Sequence, residues 1–257
     1  MKVALFIKQN IDENEDLSTL LISKINEFGF DFDQDYPDLV IVVGGDGTLL
    51  RAIHNYIDNV ENISFVGIHE GSLGFACDYV ASEIDQLFSD IRNGNVKVEE
   101  LPLLEAELSD KTIYALNEIR IENPFHTLIS DIYIDDEMLE KFRGNGLNVC
   151  SSFGSSGYNK SLGGAIIPTS LELMQLVEIA PISNKVYQTL NSPLVLSRDN
   201  EITLKGNFKD CVVGYDHLTI DANGSDVVTI RISQKTIRLV YKKCHSYYAQ
   251  LCNGFIK

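Results

Sequence analysis

This chain of 257 residues has the pattern of an α/β N-terminal domain with a parallel sheet, followed by a mostly antiparallel, β-rich C-terminal domain. Three features point to it. Leu39-Val40-Ile41-Val42-Val43 is an unbroken aliphatic run, the mark of a strand buried on both faces. Stretches of helical spacing flank it, so strands and helices alternate, as in a parallel sheet. Past Glu99-Glu100-Leu101-Pro102 the texture changes to short alternating segments separated by turn residues, which is how antiparallel sheets read.

Element by element, Val3-Ala4-Leu5-Phe6-Ile7 predicts a first strand. Apolar residues at 17, 20, 21, 22, 25 and 28 predict a helix over 17–28, stopped by Gly29. Pro37-Asp38 leads into the 39–43 strand, a helix follows over 49–56, a third strand over 63–68 and another helix over 84–91. In the second half, strands are expected over 112–121, 130–134, 201–204, 218–220, 227–232 and 236–240, with turns at Asp135-Asp136 and Asn223-Gly224 and one helical stretch over 170–179. The expected domains are 1–98 and 99–239, with the tail 240–257 packing back on the first.

Composition narrows the function. Hydrophobic residues make up 44% and charged residues 23%, an ordinary globular balance. With 37 acidic against 21 basic residues the formal net charge is -16, which argues against a nucleic-acid partner. Such a field repels anionic substrates, so a phosphate site must be built locally, from backbone N–H groups and a few cations. No apolar run has the roughly 18 residues that a spanning helix needs, and no membrane partner is expected. The first residues lack the pattern of a signal peptide. The five cysteines, Cys77, Cys150, Cys211, Cys244 and Cys252, form no CxxC. They read as free thiols in a reducing cytoplasm, and no metal site is expected from them.

Gly44-Gly45-Asp46-Gly47-Thr48 follows the 39–43 strand directly and precedes a helix. Ligands of α/β folds bind at that end of a strand. Glycines let the backbone approach phosphate oxygens, and the N–H groups of the helix N-terminus complete an anion cradle. A carboxylate is a poor neighbour for phosphate unless it accepts a proton from an attacking hydroxyl or helps to hold a metal, and Asp46 is the candidate for that role. The plainer alternative is a glycine turn with Asp46 capping the helix. The loop matches neither GxGxxG nor GxxxxGK[ST].

GGDGT resembles the signature shared by NAD kinases, diacylglycerol and sphingosine kinases, and phosphofructokinases. Further blocks select among them. Gly67-Ile68-His69-Glu70-Gly71-Ser72-Leu73-Gly74-Phe75 resembles the GINxGxLGF loop of NAD kinases, and Leu116-Asn117-Glu118 their NE element. Arg143-Gly144-Asn145-Gly146-Leu147, Gly154-Ser155-Ser156-Gly157-Tyr158 and Ser161-Leu162-Gly163-Gly164 resemble their GDGL…TPTGSTAYS…GG segment. Order and spacing fit from the first strand to Asp216-His217-Leu218. The resemblance implies NAD bound between an α/β and a β-rich domain. It also implies ATP or polyphosphate as donor, a divalent cation such as Mg²⁺, NADP as product, and a homodimer or homotetramer.

By the same resemblance Asp46 is the general base and Gly44, Gly45, Gly47 and Thr48 form the phosphate loop. Phe75 lies near adenine, and Asn117 and Glu118 hydrogen-bond the nucleotide. Ser156, Gly157, Tyr158, Asn159, Lys160 and Ser161 form the nucleotide loop, with Tyr158 packing on the ligand and Ser161 near a ribose. Asn145 faces the nicotinamide end. Arg143, Ala180 and Tyr187 face a neighbouring subunit's nucleotide, and His217 matches a histidine beside the phosphates in Gram-positive members. On residue type alone, Phe75 and Tyr158 also read as core aromatics, His217 as a structural histidine and Asn117-Glu118 as a solvated edge pair.

The 151–158 segment departs from the family pattern. Phe153 stands for a small hydroxyl residue expected to bond adenine, Ser152 for proline, Gly157 for alanine and Asn145 for aspartate. With Phe153 at adenine, the base would be read mainly by Asn117 and the backbone, and Phe153→Ser would tighten NAD binding. Two alternatives carry less support. A GGDGT lipid kinase disagrees with Asn117-Glu118 and the 154–164 block, and an impaired NAD(P)-binding regulator rests only on Phe153 and Asn145.

Overall fold

The computed structural model describes residues 1–8, 14–69, 74–222 and 224–256. In chain order the elements are β1 (Lys2–Ile7), α1 (Asn14–Glu27), β2 (Asp31–Phe32), β3 (Leu39–Val43), α2 (Asp46–Asn55), β4 (Ser64–His69), β5 (Cys77–Val80), α3 (Ile84–Arg92) and β6 (Val96–Glu107). Then come β7 (Thr112–Ala115), β8 (Glu118–Glu122), β9 (Leu128–Ile134), β10 (Glu137–Gly144), β11 (Gly146–Ser151), α4 (Tyr158–Ser161) and β12 (Leu173–Ile179). The chain continues through β13 (Leu194–Ser197), β14 (Glu201–Gly206), β15 (Val212–Tyr215), β16 (Leu218–Asp221), β17 (Val227–Lys242) and α5 (Tyr247–Phe255). Two compact units result: Met1–Glu100 with Thr236–Lys257, and Leu101–Lys235.

The first unit is built on parallel strands. β1 lies between β2 and β3, and β3 pairs with β4 from Leu39↔Ser64 to Val43↔Ile68. The free edge of β4 is shared: Ser64, Phe65 and Val66 pair with Arg238, Leu239 and Val240 of β17, while Gly67 to His69 pair with β5. All five residues of β3 are buried, which explains the absence of alternation in its sequence. Leu21 and Ile25 of α1 and Leu87 and Phe88 of α3 cover one face of the sheet, with Phe28 stacked on Phe88 at 5.4 Å. α2 contacts β1, β3 and β4 and buries Leu49, Leu50, Ala52 and Ile53.

The second unit is antiparallel. One sheet runs β13-β12-β11-β8-β15-β16. Opposing it in the core are β10, β9, β14 and the first half of β17, with residues such as Phe142, Ile202, Leu204 and Phe208 packed against Ile119, Ile121, Val149 and Met174. The β9–β10 hairpin turns through Asp135 and Asp136, both at positive φ (50° and 69°), a conformation that aspartate tolerates better than most residues.

Three expectations need correction. Residues 170–179 are not helical: β12 occupies 173–179, with Met174, Gln175, Leu176 and Val177 all buried. Burial on both faces removes the alternation that would have marked a strand, and pairing with β11 and β13 overrides the helical composition. The 112–121 segment is two strands, broken at Leu116 and Asn117, whose N–H groups are taken by the Asp216 carboxylate instead of a ladder. The segments 227–232 and 236–240 are one 16-residue strand, β17. Of the Asn223-Gly224 turn, Asn223 lies outside the described residues, as do residues 70–73 of the 67–75 block.

Phe153 lines a small cavity of the second unit together with Leu101, Pro102, Leu171, Leu173 and Ile232. Its ring therefore has a packing role that Phe153→Ser would disturb, beside any effect on the ligand. A half-buried ring replaced by a hydroxyl should destabilise by about 1–3 kcal/mol, lowering Tm by roughly 2–12 °C, with NAD affinity little changed. Thermal melts and NAD titration of that variant check this; tighter NAD binding at unchanged Tm would instead put the ring at the ligand.

Candidate functional site

In the first unit, β3 ends at Val43 and Gly44 turns at φ +146°, where a Cβ would come within 2.4 Å of Thr48 Oγ1. The Gly44 N–H donates to the Ile68 carbonyl at 2.9 Å, which fixes the turn to the end of β4. Gly45 caps α2 in an extended conformation, with no side-chain cap. Asp46 is thus the first helical residue and not a capping one. Thr48 and Leu49 N–H both donate to the Gly45 carbonyl, which leaves the N–H groups of Asp46 and Gly47 with no carbonyl of a preceding turn, at the positive end of the helix dipole. Gly45 and Gly47 are exposed and Thr48 is buried beneath them.

The Asp46 side chain is held from a distance. Phe75 N–H donates to Oδ2 and Ala76 N–H to Oδ1, both at 3.0 Å. Gly74 permits this seat, since a Cβ there would meet Oδ1 at 2.5 Å. Each carboxylate oxygen keeps a second lone pair for another donor. Phe75 is half-buried, its ring 5.2 Å from that of Phe255.

In the second unit a second carboxylate plays a similar part. Asp216, at φ 51° between β15 and β16, accepts from Leu116 N–H at 2.9 Å and Asn117 N–H at 2.7 Å. Ser151 N–H donates to the Asn117 carbonyl at 2.9 Å. Asn117 is half-buried, and Glu118 beside it is almost fully buried with Oε2 unpaired among the described residues. Burial, then the Asp216 charge, push the Glu118 carboxyl up to about 7, against a smaller opposing pull from Arg120. Its Oε1 lies 3.6 Å from Arg120 Nη1, and the Arg120 guanidinium sits 5.5 Å from the Tyr158 ring centre. Register puts Arg120 opposite Asn148 and Glu118 opposite Cys150, on one sheet face. Asn148 is fully buried, with both side-chain polar atoms unpaired among the described residues.

The remaining expected residues are placed as follows. Ser156 is half-buried at the end of a 3-10 turn, and Gly157 leads into α4. There Tyr158, Lys160 and Ser161 are exposed. Asn159 is buried and donates to the Ser155 and Ala165 carbonyls, so it braces the loop from within. Asn145 is exposed between β10 and β11. Arg143 sits 4.4 Å from the Tyr187 ring centre, Ala180 turns at φ 46°, and His217 is exposed beside Asp216. Arg120 and Asn148 were missed by motif reading, because a charged or amide residue inside a strand carries no signal until its neighbours are known. Asp216 was seen only as part of a motif.

A strand-to-helix glycine turn that presents a carboxylate, in a chain that also has a β-rich second unit, defines a two-domain phosphotransferase. The chain matches the ATP-NAD kinase N-terminal domain over residues 7–96 and the ATP-NAD kinase C-terminal domain over residues 116–241. It is 38% identical to the NAD kinase of Lactobacillus helveticus, over 100% of this chain and 97% of that protein. With NAD kinase 1 of Halalkalibacterium halodurans it shares 37% identity, over 94% and 96% of the two chains. Among solved structures, yeast NADH kinase complexed with NADH superposes with a TM-score of 0.84 at 19% identity, covering 100% of this chain and 88% of that one. An Archaeoglobus fulgidus NAD kinase in complex with ATP gives 0.77 at 20%, covering 98% and 99%. The last two establish the fold. The chain belongs to the NAD kinase family.

Glu118 generates a pH prediction. Its folded-state value is raised above the ordinary 4.5, so its burial costs least below pH 4.5, and stability falls as pH rises from there to about 7. Glu118→Gln removes that loss. The variant should equal the parent at pH 4 and exceed it by about 3 kcal/mol at pH 8. Denaturant unfolding at the two pH values checks this, and parallel curves would sink it.

Proposed function

We propose that this protein transfers the terminal phosphoryl group of ATP, or of polyphosphate, to the 2′-hydroxyl of the adenosine ribose of NAD, giving NADP. The observation that carries this reading is the seat of Asp46: a carboxylate fixed by two backbone donors at the start of a helix, inside a glycine turn, with lone pairs left over. In the proposed step the 2′-oxygen attacks the terminal phosphorus, its proton passes to Asp46, and the bond to the leaving phosphate breaks. Phosphoryl transfer needs little covalent help from a protein, so positioning and charge stabilisation dominate. Gly45, Gly47 and the N-terminus of α2 supply N–H groups for the phosphates, while Gly44, whose N–H donates to the Ile68 carbonyl, shapes the turn.

Asn117 and Glu118 are proposed to bond the nucleotide, with Tyr158 packing on it and Ser156, Gly157 and Ser161 lining it. What supports this is the anchoring of Asn117 by Asp216 and the buried Oε2 of Glu118, unpaired among the described residues, an atom that a ligand hydroxyl would satisfy. Among the described residues no group of three His, Cys, Asp or Glu side chains is placed to hold a metal ion. The divalent cation is therefore proposed to enter on the donor's phosphates, as Mg²⁺ commonly does.

A homo-oligomer is proposed from one face of the second unit. Met138, Leu139, Ile182, Val186 and Leu190 are exposed there, around the Arg143–Tyr187 pair. The five cysteines are all unbridged and no described helix is long and apolar enough to cross a membrane; a cytoplasmic location is proposed on the cysteines.

Asp46→Asn should lower kcat by roughly 10²–10⁴-fold, the range for a general acid–base group, with nucleotide binding nearly unchanged. Retention of parental turnover would remove Asp46 from the chemistry. Asn117→Ala should raise KM for NAD by roughly 5- to 150-fold, the equivalent of about 1–3 kcal/mol, with a smaller effect on kcat. If steady-state assays show the ATP constant alone moving, Asn117 reads the other nucleotide.

A further inference from the structure

The last helix of the chain grips the segment that seats Asp46. α5 begins after Ser246, whose Oγ accepts from Ala249 N–H. Its docking runs through Asp78 on β5. Asp78 Oδ2 lies 2.8 Å from His245 Nδ1 and accepts from Lys242 N–H at 3.2 Å, while Oδ1 accepts from Gln250 Nε2 at 3.2 Å. The His245 side chain is 2% exposed and stacks on Tyr241 at 3.9 Å. At the other end of α5, the Phe255 ring packs on Phe75, and a Cβ on Gly254 would come within 3.1 Å of that ring. The helix therefore holds the 75–78 segment at two points, Phe75 and Asp78. The two N–H groups that fix the Asp46 carboxylate belong to Phe75 and Ala76.

We propose that α5 is a splint for the catalytic carboxylate, and that Phe255 and Gln250 are positioning residues which act on Asp46 through the Phe75 and Ala76 amides. This rests on the assignment of Asp46 as the base. The route from α5 to Asp46 runs through Phe75 and Asp78, so its effect is on where the two donors sit. A carboxylate displaced by about 1 Å loses alignment with the attacking hydroxyl, and such misplacement costs up to roughly 100-fold in rate. Bound substrate is not moved by it, so the loss should fall on kcat and spare KM.

The experiment uses the full chain. Phe255→Ala, Phe255→Tyr and Gln250→Ala are made in the parent and in Asp46→Asn, and kcat, both KM values and Tm are measured for each. In the parent, Phe255→Ala and Gln250→Ala should each lower kcat by about 5- to 50-fold. Both KM values should stay within about twofold, and Phe255→Tyr should restore kcat. In the Asp46→Asn background the same changes should lower the residual rate by less than about twofold, because the group they position is gone. Parental kcat in both alanine variants overturns the proposal. So does an equal loss of rate in both backgrounds, which would mark general destabilisation. A raised KM for NAD at unchanged kcat overturns it too, by showing that Phe255 acts on the nucleotide through Phe75. Parental turnover of Asp46→Asn alone would instead remove the base assignment, a separate failure.

Discussion

A carboxylate seated on two backbone amides from the end of another strand organises the first unit. Asp46 belongs to the β3–α2 turn, and its donors, Phe75 and Ala76, lie immediately before β5. The bond pair fixes the start of a helix to the approach of a strand across the top of the sheet. Neighbouring contacts follow from it. Gly44 bonds the end of β4 through Ile68, and Cys77 Sγ packs near the Gly44 carbonyl at 3.7 Å. Without that seat, the turn and the 74–76 segment would have no shared fixed point among these bonds.

The second unit repeats the device with Asp216, which stops one strand at Ala115 and lets the next begin at Glu118 by taking the two amides between them. Asp78, Glu83 and Asp135 also accept backbone N–H groups at element ends. Part of the chain's acidic excess is thus structural. These carboxylates serve as internal acceptors where ladders end, in places where water or a neighbouring carbonyl would otherwise be needed. Charge counted over the whole sequence says little about the field at any one of these points.

Much of this was legible from the residues alone. The 39–43 run, the turn after it and the flanking helices are set by local composition, and the β9–β10 turn by its two aspartates. What escaped was set by partners distant in sequence. β12 reads as helix because both its faces are buried. The break at Leu116-Asn117 depends on a carboxylate about a hundred residues on. Asn148 is an unremarkable residue until register places it across from Arg120. Phe153 shows the converse: position in a family motif suggests a ligand contact, and only the fold shows that the ring lines a cavity with Leu101, Leu171 and Ile232.

β17 imposes an order on synthesis. Its Arg238 donates to the Glu61 carbonyl across 177 residues of sequence, and the three residues from 238 to 240 cover the edge of β4. A ribosome adding roughly 5–20 residues per second takes about 9–35 s to cross that span. For that time the nascent first unit carries a parallel strand bare along Ser64 to Val66, the kind of edge that invites pairing with another chain. The unit made second is thus completed before the unit begun first, and the nascent protein depends on residues 238 to 240 to become safe from its neighbours.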